Sequence, residues 1–169
     1  MIERKITDSK GESRTLLGPE LIIGEQAPDF SVLSGNLSAK TLGDFAGKKK
    51  LISVVPSLDT GVCDLQTKRF NKEAASLGDD TVILTISVDL PFAQSRWCGA
   101  AGVKEVHVLS DHRDTDFGLK YGVLIKELRL LNRAIFILDE KNVLRYKEIL
   151  VDNGNHPDYD AALAALKKL

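Results

Sequence analysis

Short runs of aliphatic and β-branched residues recur along the chain and predict the strands of a sheet. Leu51–Val55 and Thr81–Val88 are continuous apolar runs, the pattern of strands buried on both faces. The first run ends at Pro56, which cannot donate a ladder hydrogen bond. Three more runs predict further strands, the last two joined by a turn at residues 139–142: Val106–Leu109, Ala134–Leu138 and Val143–Ile149.

Segments between these runs have helical patterns. Phe70, Ala74 and Leu77 fall at i, i+4 and i+7, the spacing of one helix face. Similar spacing, or a proline at the permitted first turn, predicts four helices: Gly61–Leu77, Pro91–Ala101, Asp116–Tyr121 and Pro157–Leu169. Ahead of the strand at Leu51, Lys48–Lys50 is interpreted as a solvated turn.

The N-terminal residues Ile2–Leu17 predict a hairpin of two short strands around Asp8–Gly11. Strand and helix then alternate, and the chain closes with a hairpin and a helix. This order predicts an α/β protein with a central mixed β-sheet flanked by helices. The arrangement resembles the thioredoxin-like fold, enlarged by an N-terminal β-hairpin. No repeat or linker is visible, so residues 1–169 are expected to form a single domain.

Composition and charge exclude several classes of function. Hydrophobic residues make up 43% and charged residues 28%, which is ordinary for a globular protein. The formal net charge of −1 argues against binding to nucleic acid or to an anionic membrane surface. No apolar run approaches the roughly 20 residues that a membrane span needs. Charged residues recur throughout the N-terminal segment and leave no room for the apolar core of a secretory signal, so a cytoplasmic location is expected.

The chain has two cysteines, Cys63 and Cys98, too few for a disulfide scaffold. They could be inert buried thiols, a redox pair, or a nucleophile with a helper. The segment Pro56–Cys63 favours chemistry, because it runs from the end of a buried strand into the first turn of a helix. With Thr60 as the N-cap, Cys63 falls at about the third helical position, among unpaired backbone N–H groups that favour a thiolate.

Ionisation alone does not make a fast thiol enzyme. An ordinary thiol is about 3% ionised at pH 7, so complete ionisation gains at most about 30-fold, or roughly 2 kcal/mol. Further groups must stabilise the charge that develops on the substrate. Thr60 can supply a hydroxyl, and a nearby arginine could supply fixed donors.

Four segments together resemble one family. The pattern Pro-x-x-x-Thr-x-x-Cys within Pro56–Cys63 is similar to the active-site signature of peroxiredoxins. With the segment around Cys98, the chain resembles the bacterial thiol peroxidases, which are atypical two-cysteine peroxiredoxins. The likeness rests on these segments in chain order: Pro56–Cys63, Asp89–Gly99, Asn132–Asp139 and Asp158–Leu166.

The resemblance implies a role for each matching residue. Cys63 corresponds to the peroxidatic cysteine, which becomes a sulfenic acid, and Cys98 to the resolving cysteine, which condenses with it into an intramolecular disulfide. Thr60 corresponds to the hydroxyl that positions the peroxide, and Pro56 to the residue that shields the sulfur from water. Arg133 corresponds to the arginine that stabilises the thiolate and the transition state. This chemistry requires the sulfur of Cys63 to be ionised and open to the peroxide, with Arg133 beside it.

The resemblance also implies partners. Hydrogen peroxide and organic hydroperoxides, including lipid and alkyl ones, are the expected substrates, thioredoxin is the expected reductant, and a homodimer is the expected assembly. No cofactor and no metal ion are implied. Because Cys63 and Cys98 lie on different predicted helices, we expect disulfide formation to unwind part of one or both.

Two other functions stay open on the residues alone. One is a thiol–disulfide oxidoreductase, although the chain has no Cys-x-x-Cys motif. The other is a redox sensor or chaperone on the same scaffold, although a sensor needs only a reactive thiol and not Pro56, Thr60 and Arg133 as well.

Overall fold

Strands and helices alternate along the whole chain in the computed structural model, which describes residues 1–169. The strands are β1 (Glu3–Thr7), β2 (Ser13–Leu17), β3 (Val32–Leu33), β4 (Ala39–Lys40), β5 (Lys49–Val54), β6 (Thr81–Ser87), β7 (His107–Ser110), β8 (Leu124–Ile125), β9 (Ala134–Leu138) and β10 (Leu144–Ile149). The helices are α1 (Gly61–Ala74), α2 (Pro91–Ala101), α3 (Asp116–Lys120) and α4 (Tyr159–Lys167), with a 3₁₀ turn at Leu42–Phe45.

The central sheet is mixed, as the element order predicts. It has seven strands in the order β10-β9-β5-β6-β7-β3-β4. Strands β5, β6 and β7 are parallel, whereas β9 runs antiparallel to β5 and pairs with β10 as a hairpin. The predicted N-terminal hairpin is present as β1 and β2, and β8 joins it to form a separate three-stranded sheet.

Alternating residues of the central strands pack on opposite faces of the sheet. Ile52 and Leu84 face a larger core that contains the aromatic side chains of α3 and the end of β2, whereas Leu51 and Ile83 face a smaller core. Phe70 of α1 and Leu163 of α4 close that smaller core. Helices therefore cover both faces of the sheet, and the chain has the thioredoxin-like fold with an N-terminal hairpin.

Every predicted strand and helix exists, with shifted ends. The first helix stops at Ala74 instead of Leu77, and the last begins at Tyr159, two residues after the predicted Pro157. The two-residue strands β3, β4 and β8 are not predicted, because so short a segment has no readable hydrophobic period.

The interpretation of Lys48–Lys50 as a solvated turn is wrong. Strand β5 already begins at Lys49, and Lys50 is completely buried, with its Nζ atom donating to Asn142 Oδ1 over 2.6 Å. Burial lowers the pKa of the Lys50 ammonium. The burial of Lys50 could not be predicted from the sequence, because a lysine before an apolar run is usually solvated.

None of the helices combines the length and the apolar character that crossing a bilayer requires.

Candidate active site

The sheet topology brings together segments that are distant in sequence. The carboxyl ends of the parallel strands β5, β6 and β7 lie along one edge, where open α/β sheets commonly place their sites. Because β9 runs antiparallel to β5, its first residue, Ala134, pairs with Val54, the last residue of β5. Arg133, immediately before β9, therefore lies beside the segment that leads from β5 into α1.

That segment, residues 55–60, is fixed by one carboxylate. Asp89 follows β6 at the same edge of the sheet and accepts hydrogen bonds from Ser57 Oγ at 2.7 Å and from the backbone N–H of Leu58 at 2.8 Å. It also accepts from Ser87 Oγ at 2.7 Å. Two donors of this segment and one at the end of β6 thus converge on Asp89 and tie the loop to the sheet edge before α1 begins.

Cys63 is the third residue of α1, as the motif predicts. Its side chain is completely buried, in contact with a small apolar cluster that contains Val55 and Leu58 and against which Trp97 packs. The expectation of a sulfur open to the peroxide is therefore not met in this conformation. Val55, just before the motif, and Leu58, within it, pack around the sulfur, and the spacing of the motif carries no information about that closure.

The guanidinium of Arg133 contacts the sulfur directly. Its Nη2 atom lies 3.2 Å from Cys63 Sγ, across 70 positions of sequence. Nη1 donates to Gln66 Oε1 at 2.8 Å, and Nε donates to the backbone oxygen of Asn153 at 3.0 Å. Gln66 is itself held by a bond from its Nε2 to Ser53 Oγ. A cation is thus aligned against the buried thiol and held from both sides.

Two donors of that guanidinium stay available. Arginine has five N–H groups, and three of them have partners in the protein. A cavity of about 330 Å³ lies in front of this side chain, lined by Pro56, Thr60, Gly61 and Asn153 among others. A small molecule in the cavity could therefore meet the remaining donors of Arg133 close to the sulfur.

Thr60 occupies the N-cap position, but its hydroxyl does not cap the helix. The predicted N-cap position is confirmed, and Oγ1 donates to the backbone oxygen of Ser57 at 3.1 Å. With its hydrogen used in this way, the hydroxyl oxygen lies at the rim of the cavity with lone pairs free to accept. Pro56 is buried at the base of the same loop.

Cys98 lies on α2 and is partly buried, and burial raises the pKa of its thiol. The two cysteines are not bonded, and both helices are intact. A hydrogen bond joins their neighbours: Trp97 Nε1 donates to Asp64 Oδ1 at 3.0 Å. The structure therefore brings Pro56, Thr60, Cys63 and Arg133 together, and it holds Cys98 on the adjacent helix.

Sequence reasoning missed the residues that support this group. Gln66, Asn153 and Asp89 make no motif of their own, and only Asp89 gave a signal, as an acidic residue directly after a buried parallel strand. Gln66 lies one helical turn from Cys63, a spacing at which side chains share a face, but a glutamine alone does not indicate a role.

Comparison with known proteins agrees with the fold and with the site. The Redoxin family matches residues 22–163. The thiol peroxidase of Oceanobacillus iheyensis is 58% identical over 159 residues, which cover 94% of this chain and 96% of that protein. The thiol peroxidase of Bacillus subtilis is 56% identical over 160 residues, 95% of each chain. The crystal structure of a peroxiredoxin-like protein from Aquifex aeolicus superposes with a TM-score of 0.89 at 36% identity, covering 99% of both chains.

The matches to the two thiol peroxidases and to the Aquifex structure extend over nearly the whole chain, and the Redoxin match, which begins after the hairpin, includes both cysteine-bearing helices. The chain therefore belongs to the Redoxin family and, within it, to the thiol peroxidases of the peroxiredoxin group, which are peroxidase oxidoreductases.

Proposed function

We propose that the chain reduces hydroperoxides with Cys63 as the nucleophile and Arg133 as the group that stabilises charge. The observation that carries this proposal is the 3.2 Å contact between Arg133 Nη2 and Cys63 Sγ at the first turn of α1. A guanidinium keeps its charge at every working pH, so it favours a thiolate in this position, and the thiolate is the reactive form.

The first half of the reaction is a two-electron transfer. Because the sulfur of Cys63 is completely buried, we propose that the first turn of α1 moves to admit ROOH before the chemistry begins. The Cys63 thiolate then attacks the terminal oxygen of ROOH, an S–O bond forms, and the O–O bond breaks. The leaving alkoxide takes up a proton and departs as an alcohol, or as water when R is hydrogen. Cys63 is left as a sulfenic acid.

The other residues of the site act on the peroxide. The two unpartnered N–H groups of Arg133 would donate to the peroxide oxygens, and these bonds strengthen as negative charge develops on the leaving oxygen. Thr60 Oγ1, whose hydrogen is directed to Ser57, would accept the hydrogen of the peroxide and so orient it. Pro56 has no N–H to compete for the sulfur, and its ring keeps water away.

Cys98 completes the turnover. Its thiolate attacks the sulfenic sulfur, an S–S bond forms, and hydroxide leaves as water after taking up a proton. Because the two cysteines lie within separate intact helices, we expect one or both helix turns to unwind before the bond forms. Hydrogen exchange of reduced and oxidised protein tests this step: protection should fall around Cys63, Cys98 or both, and equal protection in the two forms would contradict it.

A dithiol must then supply two electrons and two protons to restore the two thiols. We propose thioredoxin as this dithiol. We also propose that the cycle takes place in the cytoplasm, because both cysteines must be reduced between turnovers. Hydrogen peroxide and organic hydroperoxides, including alkyl and lipid ones, are the proposed substrates. The 330 Å³ cavity and its open side give room for an organic group beyond the reacting oxygens.

We also propose a homodimer. Large apolar side chains are exposed on α1 and at the start of α2, namely Leu65 (55%), Leu90 (52%) and Phe92 (65%). Exposed apolar groups near a site commonly mark a contact surface. Light scattering on Phe92→Glu should show a monomer where the parent protein is a dimer, and a dimer that survives this change would place the interface elsewhere.

Peroxide consumption coupled to thioredoxin and thioredoxin reductase tests the function. We expect Cys63→Ser to abolish consumption, and Cys98→Ser to retain one fast turnover while losing efficient recycling. A thiol–disulfide oxidoreductase would instead reduce insulin faster than it consumes peroxide. A sensor would react slowly with cumene hydroperoxide and would not turn over with thioredoxin.

A further inference from the structure

Arg14 of β2 connects the N-terminal hairpin to the segments on either side of the site. Its Nε atom donates to Asn132 Oδ1 at 2.7 Å. Its Nη2 atom donates to the backbone oxygens of Leu150, at 3.0 Å, and Val151, at 2.5 Å. One guanidinium therefore joins the residue immediately before Arg133 to the segment that follows β10.

Those partners lead directly to Arg133. Asn132 is completely buried, and its Nδ2 atom donates both to the backbone oxygen of Arg133, at 3.1 Å, and to that of Leu150, at 2.9 Å. The backbone N–H of Leu150 donates to the same oxygen of Arg133 at 3.0 Å. The side chain of Arg14 thus completes a closed network in which the main chain at Arg133 has no free polar group.

A second connection fixes the loop that holds the guanidinium of Arg133. Asn153 receives the backbone N–H of Arg133 on its Oδ1 atom, at 2.5 Å, and the Nε–H on its backbone oxygen. The preceding residue, Asp152, accepts from both the backbone N–H and the hydroxyl of Ser9, at the tip of the hairpin, at 2.9 and 2.8 Å. The hairpin therefore holds both ends of the segment 150–153.

We infer that Arg14, supported by Ser9, is a positioning residue for Arg133: the N-terminal hairpin sets the distance between the catalytic guanidinium and the sulfur of Cys63. This inference rests on the proposed function. A displacement of about 1 Å between reacting groups can cost on the order of 100-fold in rate. The segment 150–153 follows the last strand of the sheet and belongs to no strand itself, and the hairpin bonds add to those that it makes with Asn132 and Arg133.

The test compares two arginines of the same hairpin. Arg4 of β1 also donates to backbone oxygens, those of Gly18 and Gly122, and neither of these residues bonds to Arg133 or to the segment 150–153. Arg14→Met and Arg4→Met keep the aliphatic stem, and each removes the side-chain bonds of one hairpin arginine to backbone oxygens. Both are made in a Cys98→Ser background, where Cys63 is the only thiol.

The measured quantity is the second-order rate constant of the first turnover with hydrogen peroxide, followed by stopped flow from pH 5 to 9, with a melting temperature for each variant. We expect Arg14→Met to react about tenfold more slowly and its pH–rate profile to move to higher pH, because the guanidinium stabilises the thiolate less well. Arg4→Met should keep the rate and the profile of the parent, even where its melting temperature falls by as much.

Two further variants keep the inference testable if Arg14→Met does not fold. Arg14→Lys retains the charge but cannot donate to Asn132 and to both carbonyls at once, so its rate should lie between those of Arg14→Met and the parent. Ser9→Ala removes the hydroxyl bond to Asp152 and leaves the bond from the backbone N–H of Ser9, so it should slow the first turnover by about threefold at most.

Equal rates and profiles for the Arg14 variants, Ser9→Ala and Arg4→Met, with Cys63-dependent reaction intact, would overturn the role of the hairpin alone. Peroxide consumption that persists in Cys63→Ser would overturn the proposed function together with this inference.

Discussion

Exchange of Arg133 for lysine separates the charge of this residue from its geometry. Lysine keeps a cation in the pocket but has one nitrogen, which cannot contact Cys63 Sγ, Gln66 Oε1 and the backbone oxygen of Asn153 together. It also cannot place two parallel donors on the peroxide. The thiolate therefore keeps a positive neighbour, while the transition state loses its fixed donors.

The expected loss follows from that difference. Removing one preorganised donor to a developing oxyanion costs about 100- to 1,000-fold, or roughly 3–4 kcal/mol. Retention of the charge places Arg133→Lys near the lower end, so we expect the first turnover to slow by about 100-fold. Stability should fall as well, because an acceptor left buried without a donor costs about 1–3 kcal/mol.

Stopped-flow measurement of the first turnover with hydrogen peroxide checks this value, and thermal unfolding measures the cost in stability. Arg69→Lys is the matched control, because Arg69 lies on α1, bonds to the acidic side chains of Glu73 and Asp160, packs over the ring of Tyr159, and makes no bond to Cys63. Its rate should stay within twofold of the parent. If Arg133→Lys also reacts within threefold of the parent, the forked geometry of the guanidinium does not contribute to the rate of the first turnover, and the role of its fixed donors is refuted.

Three further predictions concern stability and resolution. Burial raises the pKa of Asp111 from 3.8 to about 6, so as pH rises the unfolded chain loses the Asp111 proton before the folded chain does. The free energy of unfolding should therefore fall by about 3 kcal/mol between pH 3.8 and pH 6. In urea titrations, Asp111→Asn should lack this contribution to the pH dependence of stability. Burial lowers the pKa of Lys50, so stability from this residue increases as pH rises towards 10.5; relative to Lys50→Met, the parent should gain free energy of unfolding over that range. Trp97→Phe removes the bond to Asp64, worth about 1 kcal/mol, and should speed disulfide formation about fivefold in rapid-quench thiol assays; an unchanged rate would show that this bond survives the rearrangement.

The fold was predictable where the pattern is long and local. Strands β5, β6 and β9 are runs of apolar residues, and the four helices have helical spacing or a proline at the first turn, so their existence follows from the sequence. The edge strands β3 and β4 are too short to show a period. The burial of Lys50 was not predicted, because it depends on Asn142, which lies 92 positions away in the turn between β9 and β10.

The site was predictable only in part. The eight residues of the segment Pro56–Cys63 indicate a reactive thiol by themselves. The roles of Cys98 and Arg133 came from the resemblance to peroxiredoxins. Asn153 and Arg14 could not be found in this way, because each acts through contacts made over long stretches of sequence, 20 positions from Asn153 to Arg133 and 118 from Arg14 to Asn132. Such contacts exist only after the sheet has brought the strand ends together.

The burial of Cys63 was also not predictable from the sequence, and it changes the strength of the electrostatic interaction between the sulfur and Arg133. A thiolate open to water would be hydrated, and its attraction to the guanidinium would be screened. At an effective dielectric constant of about 20, the same pair interacts about four times more strongly than in bulk water. The apolar cluster of Val55, Leu58 and Cys63 excludes water from one side of the sulfur, and in the proposed reaction Arg133 would offset the cost of a negative charge there. We therefore expect closure around the sulfur and the alignment of Arg133 to act together, so that a residue that fixes Arg133, from Gln66 to Arg14, also influences the reactivity of the buried sulfur.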